Sequence, residues 1–280
     1  MHSVILLCVV SVTSRTQTGF RSFSSSSKKL AVIASKPDPV DSHYIKSNKF
    51  TFKNNTSLKM SNGNRPFRVS IEGNIGSGKS TLLKYFEKFS DVDACAEPVD
   101  EWRNVHGHNL LHLTYSDPKR WNFTFQHYVQ LTRLQMQTKL TEKKVQLFER
   151  SLQNNRYCFV EMARSKGFLS QHEFLAQCEW YDWIENNMDI GLDLIVYLRS
   201  CPKTVHERML KRNRPEENCV PLEYLESLHK SYEHWLSANP PAPVLVLDVN
   251  QDLGQVQSLY TQNAPYILGK MPFTPESVLV

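Results

Sequence analysis

An α/β fold, with a parallel sheet and helices on both of its faces, is the class this sequence predicts. Three observations point to it. Short β-type runs alternate with longer helical stretches from Phe67 onward, the signature of strand–helix–strand units. Two of the runs, Asp193–Arg199 and Pro243–Val249, are almost continuously apolar, as strands buried on both faces are. The first run passes directly into a glycine-rich turn and then a helix.

The elements follow in order. Phe67–Glu72 is a short β run, and Ser80–Phe89 is helical. A second run ends at Glu97-Pro98, where proline stops it. Trp121–Leu140 is long and amphipathic. Val145–Phe148 is a third apolar run, followed by a helical stretch from Leu152 to Ala163. Phe174–Asn187 reads as helix, Asp193–Arg199 as a buried strand, and Cys201–Arg212 and Leu222–Leu236 as helices. Pro243–Val249 is the last strand and Leu253–Asn263 the last helix. No internal repeat is present.

At 280 residues, with 40% hydrophobic and 22% charged residues, the chain can bury one sizeable core. Its net charge of +5 is unevenly placed. Residues 1–66 hold ten Lys/Arg against two Asp/Glu, or +8, which leaves −3 for the rest. A mildly acidic body gives no electrostatic footprint for a nucleic-acid polymer. The six cysteines (8, 95, 158, 178, 201 and 219) form no C-x-x-C pair and have no histidine at zinc spacing, so they read as free thiols. No run of 18 apolar residues suggests a membrane span.

Residues 1–60 read as a targeting leader rather than a folded domain, 61–265 as the folded domain, and 266–280 as a tail. The leader is Arg- and Ser-rich and has no acid before Asp38, as mitochondrial transit peptides are. A short apolar stretch from Val4 to Val12 competes as a secretory signal, but no Lys or Arg precedes it. Met60 offers a second start that would leave a leaderless, cytosolic form.

Gly73-Asn74-Ile75-Gly76-Ser77-Gly78-Lys79-Ser80 fits G-x-x-x-x-G-K-[ST] between a strand and a helix. Its glycines let successive N–H groups face phosphate oxygens, and the helix N-terminus, from Ser80 and Thr81 on, adds partial positive charge. Lys79 then reaches the outer phosphates and the Ser80 hydroxyl ligates Mg²⁺. The motif implies a nucleoside triphosphate without naming the reaction.

Glu97 follows the second strand, at the sheet edge where ligands of parallel sheets sit. A carboxylate there can take the proton of an attacking hydroxyl, or be an ordinary surface group before a turn. Glu149-Arg150-Ser151 follows the third run. Arg150 can hold the acceptor oxygen and the base, and Glu149 can help hold Mg²⁺. Alternatively the two are a helix-start ion pair. Arg208, Lys211, Arg212 and Arg214 crowd one helix end, as a basic lid over phosphates or as a solvated face.

Together these residues resemble the deoxyribonucleoside kinase family, nearest its mitochondrial-type thymidine kinases and insect multisubstrate kinases. The matching strings are IEGNIGSGKS (71–80), EPV (97–99), WRNVxGxN (102–109), FQxYV (125–129), ERS (149–151), RYCFVE (156–161), DLIVYLR (193–199) and VPLEYL (220–225). They run from residue 67 to about 250. The resemblance implies a P-loop kinase fold with a five-stranded parallel sheet, a homodimer, and transfer of the ATP γ-phosphate to a deoxyribonucleoside 5′-hydroxyl. It implies Glu97 as base, Arg150 beside the hydroxyl and Glu149 near Mg²⁺. It matches Tyr115 and Glu217 to the 3′-hydroxyl, Gln126 to the base edge, Phe159 to the stacking ring, Trp102 to a pocket wall, and Arg212 and Arg214 to the lid.

Spacing adds to this. Gln126, Val129 and Arg133 share one helical face, and Asn155, Phe159 and Ala163 another. An amide pairs with either pyrimidine edge, and a ring stacks on any base. The thymidine-accepting members carry Met and Ala where this chain has Arg133 and Asn155, whereas deoxycytidine kinases carry Arg and Asp. Arg133 is therefore expected to crowd a thymine methyl and to donate to a cytosine or purine edge. Ala163, where Met is frequent, is expected to enlarge the pocket. Two other readings compete: a nucleoside monophosphate kinase, and a non-catalytic accessory subunit. Glu97, Arg150 and Glu217 favour a neutral acceptor over a phosphorylated one, and the intact Lys79, Ser80, Glu97 and Arg150 argue against a non-catalytic chain.

Overall fold

The structure, a computed structural model, describes residues 65–274. The expected leader and the Met60 start lie outside the described residues. Five strands form one all-parallel sheet in the order β2-β3-β1-β4-β5. They are β1 (Phe67–Glu72), β2 (Val92–Cys95), β3 (Val145–Glu149), β4 (Leu194–Arg199) and β5 (Val244–Asp248). The chain leaves β1 toward β2 on one side and leaves β3 toward β4 on the other. The crevice at the strand C-termini therefore opens beside β1 and β3, the topological switch point.

Both faces of the central strands are buried, whereas the edge strand β5 buries Leu245 and Leu247 and exposes Val246 on its other face; the strand residues divide between the faces with a period of two. On one side Val69, Ile71, Leu147, Val196 and Leu198 meet Leu82 and Phe86 of α1 (Lys79–Glu87). On the other, Phe148, Ile195 and Tyr197 meet residues of three later helices. Each fully buried Leu, Ile or Phe contributes about 1.5–3 kcal/mol.

The expected strands are all present. Two short helices, α2 (Val99–Arg103) and α3 (Leu110–Ser116), were not foreseen. The long helix α4 (Pro118–Gln137) begins earlier than expected. Pro118 occupies its first turn and the Asp117 side chain accepts Arg120 N–H at 3.2 Å, a cap-and-proline start.

The stretch after β3 is not one α-helix. It runs as α5 (Leu152–Asn154), a π-helical segment (Asn155–Val160) and α6 (Glu161–Ser165). Next come α7 (Gln171–Asn187), α8 (Pro202–Arg212), a 3₁₀ turn (Pro215–Glu217), α9 (Leu222–Ala238) and α10 (Leu253–Ile267). Ile267, Leu268 and Phe273 are buried in the first core cluster, so packing continues past residue 265, where the domain was expected to end.

Candidate active site

The phosphate loop joins β1 to α1. Gly73 (φ 147°) and Gly76 (φ 82°) occupy conformations that side chains rarely adopt, and both are crowded. A Cβ at Gly73 would meet the Leu198 carbonyl at 2.9 Å, and one at Gly76 the Val205 carbonyl at 2.7 Å. Only glycine serves at either position. Asn74 is a buried latch: its amide donates to the Leu225 carbonyl at 2.8 Å and its Oδ1 accepts Ile75 N–H at 2.8 Å. Lys79 Nζ donates to the Asn74 carbonyl at 2.9 Å. Burial, and then the charge of Arg150, push the Lys79 ammonium down to about 7.

The side chain of Glu97, just past β2, is almost fully buried between two guanidiniums. Its Oε1 accepts from Arg133 Nη2 at 2.5 Å and Arg150 Nη1 at 3.1 Å. Its Oε2 accepts from Arg150 Nη1 alone, at 2.9 Å. Burial pushes this carboxyl up, but Arg150, Arg133 and Lys79 outweigh it and hold the group at about 2.

Arg150 reaches Glu97 from a left-handed backbone conformation (φ 60°) at the end of β3. Such a conformation costs a non-glycine residue about 1–2 kcal/mol. Its Nε donates to Tyr232 Oη at 3.2 Å, and Asn154 Nδ2 donates to the same oxygen at 2.9 Å.

Ser80 Oγ donates to Glu149 Oε1 at 2.9 Å. A hydroxyl and a carboxylate side by side are hard oxygen donors and suit Mg²⁺, which takes few protein ligands and keeps water and phosphate for the rest. Among the described residues no group of three or more His, Cys, Asp or Glu could hold a metal.

Two clefts meet here. One contains Glu97, Trp102, Tyr115, Gln126, Val129, Arg133 and Phe159. The other is lined by residues 76–81, Arg208 and the chain after β5. Gly76, Lys79, Glu149, Arg212 and Arg214 line both. Glu217 is buried and accepts from Arg212 and from Arg214, the latter at 3.4 Å. One carboxylate therefore ties the basic segment to the first cleft. Arg208 Nη2 donates to the Gln251 carbonyl at 3.1 Å, joining α8 to the far wall of the second.

Trp102 forms a wall, with Nε1 donating to Thr132 Oγ1 at 3.0 Å and its ring edge-on to Phe125. Phe159 lies under both cations, its centroid 5.1 Å from the Arg150 and 5.9 Å from the Arg133 guanidinium carbon. Tyr115 packs edge-on against Tyr224.

Arg133 lines the first cleft with Nη2 donating to Glu97 and Nη1 to the Ser151 carbonyl (3.1 Å) and Asn154 Oδ1 (3.2 Å), while its Nε has no partner. Two expectations need correction. Asn155 is not on the cleft wall. Fully buried, it donates from Nδ2 to Gln126 Oε1 at 2.6 Å and so orients that amide from behind. Ala163 does not enlarge the cleft, because beyond the π-helical turn it packs against Val160 and Leu169.

Sequence reasoning missed Glu72, Ser151, Asn154 and Tyr232 beneath the first cleft, and Gln251, Asp252 and Tyr260 on the wall of the second. The latter follow the last strand, so the strand-end rule would have found them. An acid at the end of a buried strand was the signal for Glu72.

The sequence model of the deoxynucleoside kinase family matches residues 69–262. Mitochondrial thymidine kinase 2 of Homo sapiens is 45% identical over 213 residues, covering 75% of this chain and 78% of that protein. Deoxycytidine kinase 2 of Gallus gallus is 38% identical over 219 residues (66% and 83%). Deoxycytidine kinase of Homo sapiens is 36% identical over 226 residues (69% and 87%).

Proposed function

This chain belongs to the deoxynucleoside kinase family and is an ATP-dependent nucleoside kinase of DNA-precursor salvage; on that premise we propose which residues carry the transfer and which nucleosides it takes. The observation that supports the assignment most is the junction of the two clefts at Lys79, with Glu97 on the nucleoside side of it. The triphosphate occupies the loop cleft, its terminal phosphate at Lys79, Arg212 and Arg214. Phosphate charge beside Lys79 reverses the effect of burial and keeps the ammonium protonated. The nucleoside lies with its base between Phe159 and the Trp102 wall, against Gln126, and its sugar near Tyr115 and Glu217.

Glu97 Oε2, which takes one guanidinium bond where Oε1 takes two, keeps a lone pair for the 5′-hydroxyl. It accepts the proton as the new bond forms, while Arg150 holds the carboxylate in place. Mg²⁺ bound at Ser80 and Glu149 would offset charge on the phosphates. Lys79 and the lid arginines stabilise the charge of the transferring group.

The substrates are deoxycytidine, thymidine and deoxyuridine, with purine deoxynucleosides as a further class and deoxycytidine favoured relative to thymidine. With labelled ATP, the purified protein should phosphorylate deoxycytidine at least 100-fold faster than deoxycytidine monophosphate. The reverse ranking would indicate a monophosphate kinase.

The protein is a homodimer through α4 and α7. Leu131, Trp180 and Trp183 leave an apolar surface open there, with the two tryptophans stacked at 5.9 Å. Such a patch marks an interaction surface. Sedimentation equilibrium should give twice the chain mass of 32.4 kDa, and Trp183→Arg should reduce it to one chain. A wild-type monomer would remove the assignment. The Arg- and Ser-rich leader directs the protein to mitochondria, and N-terminal sequencing of the organellar form checks it.

A further inference from the structure

Glu72 is a buried carboxylate that the transfer just described does not use. It ends β1 and has no exposed surface. One oxygen, Oε1, accepts Ser151 N–H at 3.0 Å, Ser151 Oγ–H at 2.8 Å and the Ser70 hydroxyl. The other, Oε2, has no hydrogen-bond partner. A buried carboxyl group with one idle oxygen, whose ionisation burial opposes, is a costly way to close a turn, so what it holds is informative.

The held segment begins one residue after Arg150, in its left-handed conformation. Arg150 N–H donates to the Ile71 carbonyl at 3.0 Å. Ser151 Oγ in turn caps the following helix, accepting Asn154 N–H at 3.0 Å. Arg150 is thus pinned on both sides: by β1 through its own amide, and by Glu72 through the next residue. From this backbone its guanidinium reaches Glu97 and Tyr232. Its Nη2 also donates to the Gly73 carbonyl of the phosphate loop, at a long 3.4 Å. A shift of this turn by an ångström would misdirect the guanidinium, and losses of that kind fall on rate.

We propose that Glu72 is a positioning residue for phosphoryl transfer, acting through Ser151 to hold Arg150 in the conformation that aims its guanidinium at Glu97. The inference rests on the roles proposed above for Arg150 and Glu97.

The test uses the full-length protein and compares kcat with the equilibrium affinity for ATP in the absence of nucleoside. Glu72→Leu should lower kcat about 100-fold while the ATP Kd stays within threefold. Glu72→Gln, which keeps an acceptor and the shape, should recover at least a tenth of the parent kcat. Ser151→Ala, the milder change should Glu72→Leu not fold, should lower kcat about tenfold with the same unchanged ATP Kd. Glu72→Leu combined with Ser151→Ala should be no worse than the poorer single variant, since both act through one turn.

A general structural role would instead weaken ATP binding and kcat in parallel, because Glu72 adjoins Gly73. That outcome overturns the proposal, as does additivity of the pair or an unchanged kcat in Ser151→Ala. Arg150→Ala separates the premise from the inference. If it retains kcat, the reading of Arg150 fails. If it loses kcat while Glu72→Leu keeps it, only the positioning role of Glu72 fails.

Discussion

Arg133→Met is expected to move the acid limb of the kcat/KM profile upward by about one pH unit and to raise the thymidine-to-deoxycytidine ratio of kcat/KM about tenfold or more. The first effect follows from the 2.5 Å ion pair with Glu97. The groups facing Glu97 are Arg150 after β3, Arg133 on α4, Lys79 on α1 and Tyr115 on α3. Burial raises the carboxyl and the three cations lower it to about 2. Removing one cation raises it, and transfer needs the ionised carboxylate, so activity is lost at a higher pH as the solution is acidified.

Stability has the same sign. A carboxyl held below its usual 4.5 contributes stability that is present above that value and lost as pH falls toward 2. Arg133→Lys keeps the charge and should leave the limb near its original place. The second effect follows from shape. A Met in place of the guanidinium, between Trp102 and Phe159, is flexible and uncharged and can make room for a methyl group. The substitution also leaves the Ser151 carbonyl and Asn154 Oδ1 short of a donor, at a cost of about 1–3 kcal/mol in stability. Measuring kcat/KM for both nucleosides from about pH 2 to 9, a range that spans the limb near 2 and its shifted position, checks both effects. An unmoved limb would take Arg133 out of the tuning of Glu97.

What the sequence made legible was local. Phe67–Glu72 was placed to the residue, because a period of two and a following glycine turn are written in adjacent positions. The phosphate loop was legible for the same reason. The helices α2 and α3 span 5 and 7 residues, too few for a helical period to register, and packing around Trp102 and Leu110 holds them.

The π-helical turn at Asn155–Val160 was not legible, since apolar spacing does not distinguish i+4 from i+5 bonding. The partner of Arg133 was hidden by distance: Glu97 lies 36 residues earlier, and charge type alone gave a cation without saying whether it serves a base edge or a carboxylate. Glu72 was hidden in the same way, 79 residues from Ser151.

The largest effect is expected at Glu97. Glu97→Gln keeps the volume and one acceptor oxygen but removes the proton acceptor, and general-base loss costs about 10²–10⁴-fold in rate. It also leaves two buried guanidiniums facing a neutral amide. Breaking a buried pair on one side costs about 3–5 kcal/mol, so the melting temperature should fall as well. ATP binding depends on other groups, namely the loop amides, Lys79 and the lid, none of which Glu97 touches by hydrogen bond. The loss should therefore lie in the chemical step and not in assembly of the ATP complex.

Single-turnover phosphorylation of deoxycytidine by Glu97→Gln, with the ATP Kd measured on the same sample, tests this most directly. A fall of about 1000-fold or more in the transfer rate, with the ATP Kd within threefold of the parent, is the predicted result. A transfer rate within tenfold of the parent would contradict a cleft in which Glu97 takes the proton of the 5′-hydroxyl across from Lys79.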